Sequence, residues 1–218
     1  MKEVIILGGG ASLEEGINLG LWDKIKEKEV WSINYAFLTM PFLPKREIWV
    51  DISFFRNNIE KLQNLYKQGV ECHAKKHQHY ATIPEIKTYY TTRDPKEISE
   101  KLYIGKMGLA GFFALHLAIK ENFNPIFILG YDFGNLNITD KKTHYYQDKL
   151  NIYSTGIGKP ELYRNKDNTV KEEVKDFDIL AIEAQQQNLK IYNVSLISNI
   201  FSFEKISWED FFTKLNET

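Results

Sequence analysis

Three consecutive glycines, Gly8, Gly9 and Gly10, follow a short apolar segment in the stretch VIILGGGASL. Glycine has no Cβ, so a ligand can approach the backbone closely where glycines stand together. Ser12 favours the start of a helix, and the amide groups at a helix N-terminus attract anions. The stretch is neither a P-loop nor a complete G-x-G-x-x-G motif. It predicts a phosphate-binding loop, and a tight turn without a ligand is the simpler alternative.

Polar side chains follow three other apolar segments: Asn34 in VWSIN, Asp51 in EIWVD and Asp132 in ILGYD. Ligands of open parallel sheets bind beyond the carboxyl ends of the strands, so these residues are expected to converge on one crevice with the glycine loop. Two carboxylates facing a phosphate site suit Mg²⁺, which makes Asp51 and Asp132 candidates for catalysis and for a metal site. An Asp after a strand is also a common helix cap or turn residue.

His144 is the candidate general base. It lies in DKKTHYYQDK, within the long polar segment after Asp132, and imidazole titrates near neutrality. Tyr163 and Arg164, in LYRNKD of the same segment, are candidates to contact a phosphate or leaving group. An ordinary surface position is the alternative for Arg164.

The other histidines have simpler interpretations. His116 falls inside an apolar helical pattern, which favours a structural role. His73, His77 and His79 share the stretch ECHAKKHQHYA, whose spacing could suit a metal. The lysines between them and the single neighbouring cysteine favour a solvated loop instead.

Apolar and amphipathic segments alternate along the chain, which indicates a parallel sheet covered by helices on both faces. The predicted strands are Val4–Leu7, Val30–Ile33, Ile48–Val50, Ile126–Leu129 and Leu189–Tyr192. The predicted helices are Phe55–Lys67, Leu109–Lys120, Phe177–Gln187 and Trp208–Leu215. Two long polar segments, about 74–95 and 135–174, are interpreted as lid-like insertions. The predicted fold class is α/β: one domain over 1–218 with a mostly parallel, Rossmann-like sheet.

Composition limits the kinds of partner. The 218 residues are 43% hydrophobic, enough for one buried core. The net charge of −1, with both signs scattered along the chain, provides no basic face for duplex nucleic acid. The apolar runs are much shorter than the ~20 residues of a membrane span. No secretory signal precedes Val4, and Cys72 is the single cysteine. These features favour a cytoplasmic protein and are compatible with a homo-oligomer.

Several of these segments together resemble bacterial sialyltransferases of glycosyltransferase family 42 and the related MptE-like domain family. The resemblance rests on VIILGGGASLEE, VWSINYAF, IWVDISFF, GKMGLAGFFALHLAIKENFNPIFILGYDFG and LKIYNVSLISNI, which occur in the same order over most of the chain. The second family includes hydroxymethylpterin pyrophosphokinases and motility-associated-factor glycosyltransferases, and phages encode similar short proteins. The resemblance implies a nucleotide-binding transferase.

The resemblance also implies roles for particular residues. In the sialyltransferases, the loop after the first strand and the Asn after the second hold the CMP-sugar donor, and the matching positions here are Gly8–Ser12 and Asn34. The family unit that ends in G-x-D-F corresponds to the segment from Gly111 to Phe133, so Gly111 and Tyr131 are nucleotide-binding candidates.

Three departures from the sialyltransferase pattern bear on the donor sugar. Gly9 and Asp51 stand where the sialyltransferases have Asn, and Asp51 is closer to the MptE-like pattern. The segment from Tyr163 to Lys175 lacks the catalytic His that precedes their final helix–strand unit. Sialic acid is therefore not predicted as the donor sugar.

The leading hypothesis is a nucleotide-dependent transferase, most simply a glycosyltransferase with a CMP-sugar or related donor and a small-molecule or glycan acceptor. The glycine loop would hold phosphate, Asn34 would contact base or ribose, and His144 would deprotonate the acceptor hydroxyl. One alternative is Mg²⁺-dependent diphosphate transfer from ATP, with Asp51 and Asp132 as metal ligands. Another is a nucleotide-binding or sequestering protein without turnover.

Overall fold

Short strands alternate with helices along the chain. The computed structural model describes residues 2–80, 85–106, 108–133, 144–146, 150 and 167–217, with the backbone alone for 167–173. The strands are β1 (Val4–Leu7), β2 (Val30–Ile33), β3 (Arg46–Trp49), β4 (Glu71–Lys75), β5 (Ile86–Tyr89), β6 (Thr91–Thr92), β7 (Leu102–Tyr103), β8 (Ile126–Leu129), β9 (Ile191–Asn193) and β10 (Glu204–Lys205). The helices are α1 (Leu13–Asn18), α2 (Leu21–Ile25), α3 (Ile52–Lys67), α4 (Ala110–Lys120), α5 (Asp167–Gln186) and α6 (Trp208–Glu217). Short 3₁₀ helices span Asn34–Thr39, Gln78–Tyr80 and Pro95–Glu97.

The main sheet has the strand order β10-β9-β8-β1-β2-β3-β4-β5, and its described strand pairs are parallel. From β1 the chain builds outward through β2 to β5 on one side, and from β8 through β9 and β10 on the other. The order therefore reverses between β1 and β8, which pair over their full length, from Val4 against Ile126 to Leu7 against Leu129. Ligand sites of doubly wound sheets lie at such a switch point.

Helices cover both faces of the sheet, because successive side chains of a strand point to opposite sides. In β1, Ile5 and Leu7 pack in a core with residues of α1, α2, α3 and α6. Val4 and Ile6 pack in the opposite core, against α4 and α5. The predicted α/β, Rossmann-like fold class is confirmed. No helix in the described ranges combines the length and the apolar character needed to cross a bilayer.

Part of the segment of about 74–95, which was predicted as a lid-like insertion, belongs to the main sheet. Lys75 ends β4, and Ile86–Tyr89 forms β5, the edge strand of the main sheet. The polar composition misleads because an edge strand tolerates polar residues, and the neighbouring residues Lys87 and Thr88 of β5 are both exposed. Most of the other predicted insertion, 135–174, lies outside the described residues.

Candidate functional site

The glycine loop lies at the switch point and packs directly on the end of β8. Gly8 donates its N–H to the Leu129 carbonyl and Gly10 donates to the Gly130 carbonyl, both at 2.8 Å. A Cβ on Gly8 would lie 2.7 Å from the Gly130 oxygen, and one on Gly10 would lie 2.5 Å from Cγ of Asp132. Glycine is therefore needed at these two positions because the Gly130 carbonyl and the Asp132 side chain, and not a ligand, lie close to the backbone.

The Asp132 carboxylate occupies the position at which a phosphate was expected. It accepts hydrogen bonds from the Ser12 N–H at 2.9 Å, from the Ser12 hydroxyl, and from the Ser195 hydroxyl at 2.9 Å. It thus connects the segments that follow β1, β8 and β9. Since this carboxylate already accepts the Ser12 N–H and hydroxyl, the arrangement gives no support to a phosphate site formed by Gly8–Gly10 and Ser12.

His144 lies against the same loop. The next residue, Tyr145, donates its backbone N–H to the Gly9 carbonyl at 3.0 Å. The His144 ring stacks on Tyr146 with 5.2 Å between ring centroids, and a Cβ on Gly9 would overlap the ring. Burial lowers the pKa of His144 to about 4, although the nearby Asp132 charge acts in the opposite direction. The imidazole is therefore neutral at neutral pH and is able to accept a proton.

Asn34 begins the 3₁₀ turn after β2 in a left-handed conformation, with φ of 55°. Asn tolerates this backbone region better than most residues. Its side-chain Oδ1 is buried and accepts no hydrogen bond from the residues that the structure describes. An unpaired buried acceptor is costly, so this oxygen can take a donor group of a ligand.

Glu47 lies beneath Asn34 and was not identified from the sequence. It is fully buried in β3, and its Oε2 accepts a hydrogen bond from the Ser32 hydroxyl. Burial raises its pKa well above the ordinary value, and the Ser32 hydroxyl and the Asn34 backbone N–H oppose that rise. The signal in the sequence was an acidic residue directly before the predicted strand Ile48–Val50, and β3 in fact begins at Arg46 and includes it.

Asp51 lies at the same edge of the sheet but far from Asp132. It is the N-cap residue of α3, yet its side chain makes no capping hydrogen bond. Its carboxylate reaches solvent, while partial burial raises its pKa and the Lys75 charge offsets part of that rise. β3 is three strands from β8, which corresponds to about 14 Å.

This separation argues against the predicted shared metal site. Two carboxylate oxygens on one Mg²⁺ each lie about 2.1 Å from the ion. Asp51 and Asp132 are too far apart for that, and the Asp132 oxygens already accept bonds from Ser12 and Ser195. Within the described ranges, no group of three or more His, Cys, Asp or Glu side chains could hold a metal ion.

Tyr131 and Gly111 contact each other instead of facing the crevice. Tyr131 is 1% exposed, and its hydroxyl donates to the Gly111 carbonyl at 3.0 Å. The contact packs the start of α4 on the end of β8, so the arrangement gives these residues a structural role. Tyr163 and Arg164, the predicted leaving-group contacts, lie outside the described residues.

The other histidines divide between core and surface. His116 is fully buried and its Nδ1 accepts the Tyr103 N–H at 2.6 Å, a structural contact like the one predicted. His73 is buried in β4 and bonds to the Tyr89 hydroxyl at 2.9 Å, so the solvated-loop prediction is wrong for it. Only His77 and His79 lie beyond the strand.

No family model and no curated protein matches this chain.

Proposed function

We propose that this protein is a nucleotide-dependent transferase, a glycosyltransferase that uses a CMP-sugar or a related nucleotide-sugar donor, with His144 as general base. The observation that carries the proposal is the position of His144: a neutral imidazole packed on the loop after β1, beside the Asp132 carboxylate, at the switch point of a Rossmann-like sheet. Bases and charged partners placed together at such a crevice are typical of catalytic sites.

The chemistry assigned to His144 is removal of the acceptor proton. As the acceptor oxygen forms a bond to the anomeric carbon, the bond from that carbon to the donor phosphate breaks and its electron pair leaves with the phosphate. The hydroxyl proton moves to the His144 ring, and the Asp132 charge stabilises the resulting imidazolium. Asp132 then acts through His144 and holds the loops in place.

Asn34 supplies the contact assigned to the donor. Its unpaired Oδ1 is an acceptor without a donor in the described part of the chain, which suits an amino group of a base or a ribose hydroxyl. Cytosine has such an amino group, in agreement with the CMP-sugar that the motif resemblance implies. The diphosphate-transfer alternative is not retained, because Asp51 and Asp132 do not lie close enough for one Mg²⁺.

The first experiment identifies the nucleotide. Thermal unfolding of the full chain is measured with CMP, CDP, UDP, GDP, ADP and ATP, each at a saturating concentration. A ligand at about 100 times its Kd adds roughly 2.7 kcal/mol of stability. We expect CMP to stabilise the protein most, and Asn34→Ala to remove most of that effect. An equal response to all six nucleotides would contradict the assigned donor.

The second experiment tests the base by product formation with the donor so identified. His144→Ala is expected to lower turnover by about 10²- to 10⁴-fold, with nucleotide affinity little changed. Because the pKa of His144 is lowered to about 4, the wild-type rate should stay constant from neutral pH down to about pH 5 and fall as the ring protonates near pH 4. Nucleotide binding without any product would support the sequestering alternative, and an acidic limb that persists in His144→Ala would place the base elsewhere.

A further inference from the structure

A second polar cluster lies at the same edge of the sheet, beyond the ends of β3 and β4. Its members are Arg56 on α3 and His77 and His79 around the 3₁₀ turn, and we name it the imidazole–guanidinium cluster. The Arg56 Nη2 lies 2.7 Å from His79 Nε2, and the two imidazole rings stack with 4.9 Å between their centroids. Arg56 and His79 are exposed and His77 is half-buried, so the cluster faces solvent.

The hydrogen bonds determine which nitrogen of each neutral ring bears the proton. A guanidinium can only donate, so His79 Nε2 accepts from Arg56 and the proton lies on Nδ1. The backbone N–H of His79 points at His77 Nδ1, at 3.3 Å, so the proton of His77 lies on Nε2. Each ring therefore has one N–H that no described residue accepts, next to the remaining N–H groups of Arg56.

The cluster is thus an array of donors. Three side chains provide N–H groups in several directions, and their ring acceptors are already used within the cluster. Asp51 is the N-cap residue of α3, the helix that carries Arg56, and the Lys75 charge lowers the pKa of its carboxyl. An array of this kind is complementary to a ligand that only accepts, and a phosphoryl group offers three oxygens.

The glycine loop is not available for this task, because the Asp132 carboxylate fills it. The cluster follows β3 and β4, which lie two and three strands from β1, or about 10–14 Å from the loop on which His144 packs. A phosphate at that distance cannot be the one that leaves the reacting carbon. It must belong to the other substrate.

We propose that the imidazole–guanidinium cluster binds a phosphoryl group on the acceptor, so that the acceptor is a phosphorylated small molecule or glycan. The inference rests on the proposed function, since it takes the centre near His144 as the reacting one. It adds to that function a class of acceptor, phosphorylated compounds, and a second binding site for the acceptor at the cluster.

The test measures long-range ¹H–¹⁵N imidazole spectra of the full chain, in which each of the five histidines gives its own signals. The probes are inorganic phosphate, glucose 6-phosphate, CMP and cytidine, each compared with chloride at equal ionic strength. We expect phosphate and glucose 6-phosphate to shift His77 and His79 saturably and to leave His144 unchanged. CMP is expected to shift His144 first.

Arg56→Gln should weaken phosphate and glucose 6-phosphate binding about tenfold, since it removes a charge-assisted hydrogen bond. The exposed arginine Arg93, in the loop after β6, provides the matched control, and Arg93→Gln should have no effect. His79→Ala is a second variant with the same expectation as Arg56→Gln. Urea unfolding of each variant checks that the fold is retained.

The outcomes separate the two proposals. Equal shifts with chloride, or equal binding by wild type and Arg56→Gln, would overturn the phosphoryl site and leave the transferase standing. Saturation of His77 and His79 by CMP but not by cytidine would assign the cluster to the donor phosphate and overturn the acceptor assignment. Phosphate binding without any nucleotide binding would support the anion site and overturn the proposed function.

Discussion

At the scale of single residues, Asp132 was predicted to be a metal ligand, but it links neighbouring loops by hydrogen bonds. Its carboxylate accepts bonds from residues that follow β1 and β9, and it lies close enough to His144 to affect the pKa of that ring. The sequence predicted that the glycine loop, Ser12 and Asp132 meet at one edge. It could not predict that the carboxylate itself fills the loop, because that depends on side-chain geometry between residues 120 positions apart.

Glu47 gives a residue-scale prediction with a defined sign. Its pKa is raised in the folded protein, so above pH about 4.5 the folded state keeps a proton that the unfolded state has lost. Stability from this group is complete at low pH and is lost as pH rises towards the folded pKa. Glu47→Gln keeps the shape and cannot ionise. Its stability relative to wild type should therefore grow with pH, by at most about 1.4 kcal/mol per pH unit.

Urea unfolding at about pH 4.5, 6.0 and 7.5 measures this difference. Glu60→Gln, at an exposed position of α3, is the control for loss of one carboxylate. A Glu47→Gln difference that is the same at all three pH values would mean that burial does not shift this titration.

At the scale of elements, strands with a continuous apolar sequence were predicted correctly, and a strand with a polar sequence was missed. Val4–Leu7, Val30–Ile33 and Ile126–Leu129 have their predicted bounds. β4 was missed because its sequence, ECHAK, reads as polar, and burial of His73 depends on bonds to the Tyr89 hydroxyl and to Glu71. Such partners come from other parts of the chain, so a local pattern does not reveal them.

The contact between the glycine loop and residues 144–146 gives a prediction at the same scale. Gly9 does not have a positive φ, so alanine is compatible with its backbone, but the added Cβ would overlap the His144 ring. Gly9→Ala should cost about 1–3 kcal/mol of stability. In a His144→Ala background that cost should shrink, with a coupling free energy of about 0.5–3 kcal/mol.

A double-mutant cycle by urea unfolding measures the coupling. Gly111→Ala with His144→Ala is the matched cycle, since a Cβ on Gly111 would meet the Tyr131 ring instead, and it should be additive. Additive behaviour of the Gly9 cycle as well would show that the two segments do not touch in solution.

At the scale of the whole molecule, the sheet order explains which parts of the sheet should be hardest to open. β1 and β8 are central and fully buried, whereas β5 and the two-residue β10 are at the edges. Native-state hydrogen exchange should find the amides of β1 and β8 exchanging through global unfolding, and those of β10 through local opening at lower free energy. Exchange of β1 at the same low free energy as β10 would contradict the central position of that strand.

The central position of β1 also has a consequence for synthesis on the ribosome. β2 emerges soon after β1, but β8, its other partner, begins only at Ile126. At about 5–20 residues per second, roughly 6–24 s pass between the two strands. During that interval one edge of the uncharged segment VIIL has unpaired amide and carbonyl groups, which favours pairing with another nascent chain. The distance along the sequence between two neighbouring strands thus determines how long the new chain is open to aggregation.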